Sequence, residues 1–355
     1  MAKKIVLTGG GTAGHVTPNL ALIPYLKERG YEISYIGSYD GIEKKLVADY
    51  DIPYYGIATG KLRRYFDPKN FSDPFRVMKG YAEARKALKQ IRPDVIFSKG
   101  GFVGAPVVRA GHSLKIPCIL HESDLTPGLA NKLCFPVAQK ICCNFPETLA
   151  YVPAEKAVIT GTPIRDELNR GLAVAGKKLC GFTDNKPVLM IIGGSLGAQA
   201  VNECVRDALP KLLPEFNIIH ICGKEKMDNL KLNVPGYKQF EYVKSDLKDL
   251  FALADIVISR AGANSICELL ALRKPNILVP LSPKNSRGDQ ELNARSFEQQ
   301  GFSVVIENDD LDEDILIKRI HEVYANRDAI KARMHDSNQH GATLTILNLI
   351  EEMAG

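Results

Sequence analysis

Apolar and polar residues alternate along this chain in two different ways. Short, continuous apolar runs rich in Val, Ile and Leu are separated by longer amphipathic segments. The short runs are typical of strands buried on both faces of a parallel sheet, and the amphipathic segments are typical of covering helices. The predicted strands are Ile5–Thr8, Glu32–Ile36, Asp94–Ser98, Pro117–His121, Gln139–Cys143, Ala157–Thr160, Val188–Ile192, Asn217–Cys222, Lys238–Tyr242, Ile256–Ser259, Asn276–Pro280 and Ser303–Ile306.

The amphipathic segments predict the helices that lie between these strands. The main predicted helices are Asn19–Arg29, Asp73–Ile91, Ala198–Leu213, Ile266–Leu272 and the closing Ala342–Met353. Regular alternation of strand and helix predicts an α/β fold with two Rossmann-like, doubly wound parallel sheets.

The length of 355 residues is that of about two domains. Gly161-Thr162-Pro163 provides the turn residues expected where the first sheet ends. We therefore predict an N-terminal domain at 1–162 and a C-terminal domain at 163–338. The final helix, at 339–355, is predicted to pack back on the N-terminal domain.

A glycine-rich turn follows the first strand of each half. Gly9–His15 reads GGGTAGH, and Gly193–Gly197 reads GGSLG. Such turns let a ligand approach the backbone, and the helix that follows offers N–H groups and a positive dipole end. Since ligands of open α/β sheets bind beyond the carboxyl ends of the strands, we predict an anionic ligand in a cleft between two facing domains.

The first turn also fits two other interpretations. Gly9-x-Gly11-x-x-Gly14 matches the dinucleotide-binding pattern, but the second strand ends in Ile36-Gly37-Ser38, without the acidic residue that a nicotinamide site uses for ribose. A plain turn without ligand is the other alternative. His15 is predicted in the first helical turn, where the dipole favours a neutral imidazole able to accept a proton.

The second turn matches G-x-S-x-G, the nucleophile elbow of α/β-hydrolases, with Ser195 as nucleophile. A serine hydrolase would need an acid and a histidine downstream, for which Asp255 and His321 are the candidates. The other interpretation is that the Ser195 hydroxyl and nearby amides bind a phosphate group.

Polar side chains follow several other predicted strands. Ser265 and Glu268 share a helical face, where a carboxylate suits ribose hydroxyls. Gln290 and Asn293 have amides that both donate to and accept from sugar hydroxyls. The sequence Asp310-x-Asp312-x-Asp314 resembles a metal-binding pattern, but helix capping explains it without a metal.

Composition limits the partners. The net charge of +5 is too small to indicate nucleic acid, and the eight cysteines, none in a C-x-x-C pair, suit buried thiols in a reducing cytosol. Residues 61–86 carry eight Lys/Arg against three Asp/Glu, interleaved with aromatic and apolar residues. This segment predicts contact with an anionic membrane surface. A charged helix face is the alternative, and RNA binding is a third one that no recognisable RNA motif supports.

Seven segments, in this order and spacing, resemble the MurG family of glycosyltransferases. They are GGGTAGHVTP near the N-terminus, GGFVGAP at 100–106, HESDLTPGLANK at 121–132, GTPIR at 161–165, GGSLGAQAVN at 193–202, RAGANSICE at 260–268 and DQELNA at 289–294. The resemblance implies the two-domain GT-B fold. It implies transfer of N-acetylglucosamine from UDP-GlcNAc to the 4-hydroxyl of lipid-linked N-acetylmuramic acid (lipid I), with inversion and without a metal or other cofactor.

The resemblance also assigns residues to the site. His15, as base or acceptor-orienting group, and Glu122 are the catalytic candidates. The residues expected to bind the sugar nucleotide or line its cleft are Thr12, Ala13, Gly14, Asp124, Asn131, Arg165, Ser195, Asn202, Val243, Arg260, Gly262, Ala263, Ser265, Glu268, Gln290 and Asn293. Two departures matter: Asp124 replaces an Asn common in relatives, and Phe102 replaces a Tyr.

The implied location is peripheral, at the cytoplasmic face of the cell membrane, where a lipid-linked acceptor resides. Two alternatives of other classes stay open: the serine hydrolase that uses Ser195, and a non-enzymatic sensor that binds UDP-GlcNAc without releasing UDP.

Overall fold

Parallel β-structure forms the centre of each half of the chain. The computed structural model describes residues 2–60, 73–193, 197–282, 288–337 and 341–355. It divides into two compact units, Met1–Arg165 together with Gly341–Gly355, and Asp166–His340. Each unit has one sheet in which every strand pairing is parallel.

The first unit has a seven-stranded sheet in the order β3-β2-β1-β4-β5-β6-β7. Its strands are β1 (Lys4–Thr8), β2 (Glu32–Ser38), β3 (Tyr54–Ile57), β4 (Val95–Ser98), β5 (Cys118–Glu122), β6 (Lys140–Cys143) and β7 (Ala157–Ile159). Its helices are α1 (Thr17–Glu28), α2 (Ile42–Val47), α3 (Asp73–Ile91), α4 (Gly101–Ser113), α5 (Leu129–Lys132) and, from the end of the chain, α13 (Ala342–Ala354).

The second unit repeats the arrangement with six strands in the order β10-β9-β8-β11-β12-β13. The strands are β8 (Val188–Ile192), β9 (Asn217–Ile221), β10 (Tyr237–Phe240), β11 (Ile256–Ser259), β12 (Asn276–Leu278) and β13 (Ser303–Val305). The helices are α6 (Ala173–Cys180), α7 (Gln199–Leu212), α8 (Leu247–Leu253), α9 (Ala263–Ala271), α10 (Asp289–Gln299), α11 (Glu313–Ala325) and α12 (Arg327–His335). The predicted pair of Rossmann-like sheets is confirmed.

The central strands are apolar because both of their faces are covered. Ile5, Val6 and Leu7 of β1 are completely buried, as β1 pairs with β2 on one side and with β4 on the other. The edge strand β3 was not predicted. It is short, half-buried over most of its length and interrupted by Gly56, so it lacks the apolar run that marks the central strands.

The C-terminal helix completes the core of the first unit. Ile346, Leu347 and Ile350 of α13 are buried in the same cluster as Ile5 and Leu7 of β1. The last residues of the chain therefore belong to the N-terminal unit, although a whole second unit precedes them in sequence.

Helix α3 has the predicted bounds and exposes two large apolar side chains. Phe75 is 74% and Met78 is 70% exposed, and their spacing of three places them on one helical face. Residues 61–72 of the predicted membrane segment lie outside the described residues. Within the described ranges, none of the helices is both long and apolar enough to span a bilayer.

Candidate functional site

The order of strands defines one ligand-binding edge in each unit. The order in which successive strands are added to the sheet reverses between β1 and β4 in the first unit and between β8 and β11 in the second. Ligands of doubly wound sheets bind beyond the carboxyl ends of the strands at such a reversal. Both predicted glycine turns follow a strand at these positions.

The first turn has a backbone that only glycine tolerates. Gly9 and Gly11 have φ values of 148° and 86°. A Cβ at Gly9 would lie 2.5 Å from the His15 carbonyl oxygen, and one at Gly11 would lie 2.3 Å from the Phe102 ring. The turn is therefore packed closely on its own helix start and on α4. Its Gly11 N–H is donated inward to Glu43 Oε2, at 3.2 Å, so this amide is not offered to a ligand as expected.

His15 lies where the turn meets the start of α4. It ends a short 3-10 helix, Ala13–His15, and its Nδ1 is 3.1 Å from Thr12 Oγ1. A Cβ at Gly101 would lie 3.1 Å from the same nitrogen. If Nδ1–H donates to the threonine hydroxyl, Nε2 carries the lone pair that a general base needs. Thr12 and Ala13 are exposed, and Gly14 and His15 are half-buried.

Glu122, at the end of β5, holds the loop that follows it. Its Oε1 accepts hydrogen bonds from the N–H groups of Ser123 (2.8 Å) and Asp124 (3.1 Å). Its Oε2 accepts from Gly128 N (3.1 Å) and from Asn131 Nδ2 (2.9 Å). Burial raises the pKa of the Glu122 carboxyl, with a contribution from Asp124, while these hydrogen bonds oppose the rise. The carboxylate of Glu122, a residue that is 5% exposed, thus accepts four hydrogen bonds.

Asn131 connects this loop to the start of α4. Its amide also donates to the His121 carbonyl oxygen at 3.3 Å, and its Oδ1 would lie 2.6 Å from a Cβ at Gly100. The structure thus brings Glu122 and Asn131 into direct contact. Asp124 is half-buried, and its backbone is fixed by Glu122.

A buried lysine at the same edge was missed from the sequence. Lys99, after β4, is 1% exposed, and its Nζ lies 2.7 Å from His121 Nδ1 and 2.5 Å from Ser123 Oγ. His121 Nε2 lies 2.8 Å from the Gly161 carbonyl oxygen, which can only accept, so Nδ1 is the acceptor for Lys99. Burial, followed by the Lys99 charge, lowers the pKa of His121 far below its usual value.

In the second unit, Ser195 lies outside the described residues, together with Gly194 and Leu196, whereas Gly193 and Gly197 are described. A Cβ at Gly193 would lie 2.6 Å from Ala198 N, and one at Gly197 would lie 2.1 Å from the Cys222 carbonyl oxygen. These two glycines are therefore packed tightly, Gly193 against the residue before α7 and Gly197 against the end of β9.

Asn202, on α7, is completely buried, and its amide contacts β9 and the residue that follows it. Its Nδ2 donates to the Cys222 carbonyl oxygen at 2.9 Å, and its Oδ1 accepts from His220 Nε2 at 3.0 Å. His220 Nδ1 accepts from the Tyr237 hydroxyl at 2.8 Å. This contact set indicates support for the end of β9 rather than direct contact with a ligand.

Burial lowers the pKa of His220 to about 3, with a smaller contribution from the Arg206 charge. Because the unfolded chain binds this proton near pH 6.5, acid destabilises the folded state progressively as the pH falls from about 6.5 toward 3. We expect a loss of about 1.4 kcal/mol per pH unit from this imidazole over that range. Urea unfolding of wild type and His220→Gln at pH 7 and pH 5 measures it, and an equal pH-dependence in both would contradict the assignment.

Helix α9 presents its amino end and a carboxylate at the edge of the second sheet. Gly262 caps the helix in an extended conformation, and a Cβ at this glycine would meet no atom nearer than Ser265 Oγ, at 4.0 Å. Ala263 is buried, Ser265 is exposed and Glu268 is half-buried. Open backbone, a hydroxyl and a carboxylate thus follow one another at the start of this helix, at positions three residues apart.

Arg260, which directly follows β11, is hydrogen-bonded to the segment after β12. Arg260 Nη1 donates to the carbonyl oxygens of Val279 (3.0 Å) and Pro280 (3.2 Å) and to Asn308 Oδ1 (2.7 Å). Burial lowers the pKa of its guanidinium. Arg260 thus holds the end of β12, which makes it a supporting residue in this structure.

Gln290 and Asn293 lie in the first turns of α10. Gln290 Oε1 accepts from Leu281 N at 3.1 Å, and Asn293 is completely buried. Val243 is half-buried in the loop after β10, and Arg165 is the last residue of the first unit before the chain enters the second.

The acidic segment after β13 has the helix-capping contacts that the sequence predicts. Asp312 caps α11 by accepting from Ile315 N at 2.8 Å, and Asp314 pairs with Lys211 at 3.0 Å. In the described part of the chain, no cluster of three or more His, Cys, Asp or Glu is placed to hold a metal ion.

The partners that a hydrolase would need lie at the wrong end of the second sheet. Asp255 precedes β11, and its Oδ2 accepts from Val188 N at 2.8 Å, at the amino end of β8. His321 packs against Phe216, just before β9, and lies 3.3 Å from Glu215. The G-x-S-x-G turn follows the carboxyl end of β8, so a five-residue strand separates it from both candidates.

Two family profiles cover most of the chain. That of the glycosyltransferase family 28 N-terminal domain matches residues 5–143, and that of the C-terminal domain matches residues 188–349. The chain is 61% identical over 351 residues to the UDP-N-acetylglucosamine–N-acetylmuramyl-(pentapeptide) pyrophosphoryl-undecaprenol N-acetylglucosamine transferase of Lachnoclostridium phytofermentans, with 99% of each chain covered. It is 57% identical over 350 residues to the Clostridium botulinum protein of that description, again over 99% of each chain.

Solved structures resemble the whole chain as well. The crystal structure of MurG from Acinetobacter baumannii superimposes with a TM-score of 0.79 at 26% identity, covering 99% of both chains. A UDP-GlcNAc 2-epimerase from Neisseria meningitidis, bound to UDP-GlcNAc, has a TM-score of 0.67 at 12% identity, covering 99% of this chain and all of that one. The predicted GT-B fold class is confirmed, and the serine hydrolase alternative is wrong.

Proposed function

Because this chain belongs to glycosyltransferase family 28, we propose that it transfers N-acetylglucosamine from UDP-GlcNAc to the 4-hydroxyl of N-acetylmuramic acid in lipid I, forming lipid II. The observation that carries this proposal is the 61% identity, over 99% of both chains, to a relative described as that transferase. Two glycine turns at the reversals of two parallel sheets supply the matching geometry.

The second unit is proposed to hold the sugar nucleotide. Open backbone at Gly262 and the amino end of α9 suit the diphosphate, and Glu268, less than two turns along the helix, suits the ribose hydroxyls. Ser265, on the same face, is the neighbouring hydroxyl donor. Gln290 and Asn293 at the start of α10 keep their proposed contacts to the sugar hydroxyls on the basis of resemblance, since amides both donate and accept. In the structure Gln290 Oε1 accepts from Leu281 N, and Asn293 is completely buried.

The other residues assigned to the donor site rest on different kinds of evidence. Ser195 keeps its proposed phosphate contact on the basis of resemblance, as do Val243 at the uracil and Arg165 near the donor. Asn202 is reassigned to the support of the end of β9, since both polar groups of its amide contact the protein itself. Arg260 keeps its proposed donor contact on the basis of resemblance, and its Nη1 also supports the segment after β12.

The first unit is proposed to supply the proton acceptor. His15 lies on the first glycine turn with Nδ1 beside Thr12 Oγ1. In the proposed mechanism Nδ1–H donates to that hydroxyl, and Nε2 takes the proton of the attacking hydroxyl. Attack on the anomeric carbon forms the new C–O bond with inversion and breaks the bond to UDP. Backbone N–H groups and helix amino ends then stabilise the departing diphosphate without a metal.

Release of UDP from UDP-GlcNAc, measured with and without a lipid I analogue in buffer containing EDTA, tests this proposal. We expect UDP release that depends on the acceptor and survives chelation. Binding of UDP-GlcNAc without UDP release under any condition would indicate a sensor instead. Activity that is lost with EDTA and restored by a divalent ion would contradict the metal-independent mechanism.

The segment around residues 61–86 is proposed to dock the first unit on the cytoplasmic leaflet. Exposed Phe75 and Met78 lie beside exposed Arg76 and Lys79 on α3, which combines apolar side chains with positive charge. A peripheral position of this kind gives access to a lipid-linked acceptor.

Replacing Phe75 and Met78 together by serine is expected to weaken binding to anionic vesicles by more than about tenfold, since each side chain contributes roughly 1.5–3 kcal/mol when buried. Vesicle sedimentation measures the change, and Leu230→Ser, at a 95% exposed apolar residue of the second unit, is the matched control. The proposed docking surface would be contradicted if vesicle binding did not depend on salt concentration and persisted after neutralisation of Arg63, Arg64 and Lys69.

A further inference from the structure

Glu43 is a buried carboxylate to which the proposed reaction gives no role. It lies on the short helix α2, and it is 0% exposed. Its side chain extends from α2 to Gly11 of the first glycine turn, thirty-two residues earlier in the sequence. A buried acid costs free energy unless its oxygens are hydrogen-bonded, so its contacts identify what it supports.

Three hydrogen-bond donors converge on this carboxylate. Oε2 accepts from Gly11 N at 3.2 Å, and Oε1 accepts from Ser38 N at 2.9 Å and from the Ser38 hydroxyl. One oxygen thus holds the glycine turn, and the other holds the end of β2. An ionised carboxylate accepts all three bonds, whereas an amide in its place would put a donor against a donor.

Three glycines leave the space that the Glu43 side chain fills. A Cβ at Gly10 would lie 2.5 Å from Glu43 Cδ, and one at Gly41 would lie 2.3 Å from Oε1. A Cβ at Gly37 would lie 2.8 Å from Cγ. Real Cβ atoms do not approach so closely, so the packing at these three positions requires glycine while Glu43 is in place.

The hydrogen bond between Glu43 and Gly11 is linked to the proposed base, His15, through Gly11 and Thr12. Gly11 precedes Thr12, and Thr12 Oγ1 lies 3.1 Å from His15 Nδ1. Fixing the Gly11 amide therefore fixes the backbone from which the threonine hydroxyl orients the imidazole. Reactions that depend on such placement lose about a hundredfold in rate for a displacement of about 1 Å.

We infer that Glu43 is a positioning residue, which sets the first glycine turn so that Thr12 holds His15 in its reactive orientation. This inference rests on the proposed function in one respect, the use of His15 as base. The hydrogen bond to Gly11 and its effect on the turn are independent of the reaction.

Glu43→Gln is the informative substitution, because it keeps the shape of the side chain and removes its ability to accept at one position. We expect kcat to fall about tenfold to a hundredfold, with the KM for UDP-GlcNAc unchanged, because the sugar nucleotide is held by the second unit. In a His15→Ala background the same substitution is expected to cost less than about twofold, since both changes act through one group.

Hydrogen exchange at Gly11 provides a measurement that needs no substrate. The Gly11 amide is expected to exchange faster in Glu43→Gln than in wild type, because its acceptor is lost. Asp94→Asn is the matched control: Asp94 Oδ2 accepts from Lys4 N at 2.7 Å, at the amino end of β1 in the same unit. It is expected to leave both Gly11 exchange and kcat at wild-type values. Ser38→Ala, which removes only the hydroxyl donor, should act like Glu43→Gln but more weakly, and it substitutes for that variant if Glu43→Gln does not fold.

The outcomes separate this inference from the proposed function. Unchanged Gly11 exchange in Glu43→Gln overturns the hydrogen bond as a support of the turn. Faster exchange with unchanged kcat, or an undiminished loss in the His15→Ala background, overturns the positioning role. If the wild-type protein has no transferase activity, the proposed function is wrong. Hydrogen exchange at Gly11 then still tests the contact between Gly11 and Glu43.

Discussion

His15→Ala is expected to lower kcat by about a hundredfold to ten-thousandfold, the usual contribution of a well-placed general base. The imidazole lies between the first glycine turn and the start of α4, with Nδ1 beside the Thr12 hydroxyl. Its removal leaves the glycines and the second unit unchanged, so UDP-GlcNAc affinity should stay within about twofold of wild type. Steady-state kinetics with a lipid I analogue, together with calorimetric titration of UDP-GlcNAc, separates the two effects.

The control for this substitution is His112→Ala, an exposed histidine in the last turn of α4. It should leave kcat unchanged, since it lies at the opposite end of that helix from Gly101. A loss of less than about tenfold in His15→Ala would exclude the general-base role and leave His15, at most, an acceptor-orienting group.

Glu122→Ala is expected to lower the free energy of unfolding of the first unit by about 3 kcal/mol or more, because it leaves several buried donors without an acceptor. Those donors are the N–H groups of Ser123, Asp124 and Gly128 and the side-chain amide of Asn131. Activity should fall as well, because the loop after β5 loses its anchor. Urea unfolding followed by a probe in the first unit measures the change.

Glu122→Gln distinguishes an anchor from a catalytic acid. An amide keeps one accepting oxygen, so a structural role predicts an intermediate loss of stability together with an intermediate loss of activity. Glu155→Ala, at an exposed carboxylate of the same unit, should change stability by no more than about 0.5 kcal/mol. If Glu122→Gln abolished turnover at wild-type stability, Glu122 would be a catalytic group and the anchor assignment would be wrong.

Much of the fold could be predicted from the sequence because burial on both faces leaves a clear apolar run. β1, β8 and β11 have such runs, and α3 has the predicted bounds. β3 could not be predicted, since an edge strand needs no continuous apolar run and Gly56 interrupts it. Helix α9 begins at Ala263, before the predicted Ile266, because Gly262 caps it and the apolar periodicity starts later.

Candidate site residues could be chosen from the sequence where they stand in a motif: His15 in the first glycine turn, Glu122 in HESD and Glu268 in RAGANSICE. Glu43 and Lys99 were not chosen, because burial and contacts with residues distant in sequence are what distinguish them. The position of a residue in a motif also does not show whether its side chain contacts a ligand or only supports the fold. Asn202 belongs to a segment that resembles the family's sugar-nucleotide site, yet its amide is occupied by Cys222 and His220.

The identity of the product made from UDP-GlcNAc and a lipid I analogue tests the central claim most directly, since the same fold also occurs in a UDP-GlcNAc 2-epimerase. Mass spectrometry and NMR of the reaction mixture should show one UDP for each new disaccharide, joined by a β-linkage to the 4-hydroxyl of N-acetylmuramic acid. A 2-epimerised nucleotide sugar, free N-acetylglucosamine alone or an α-linked product would contradict it.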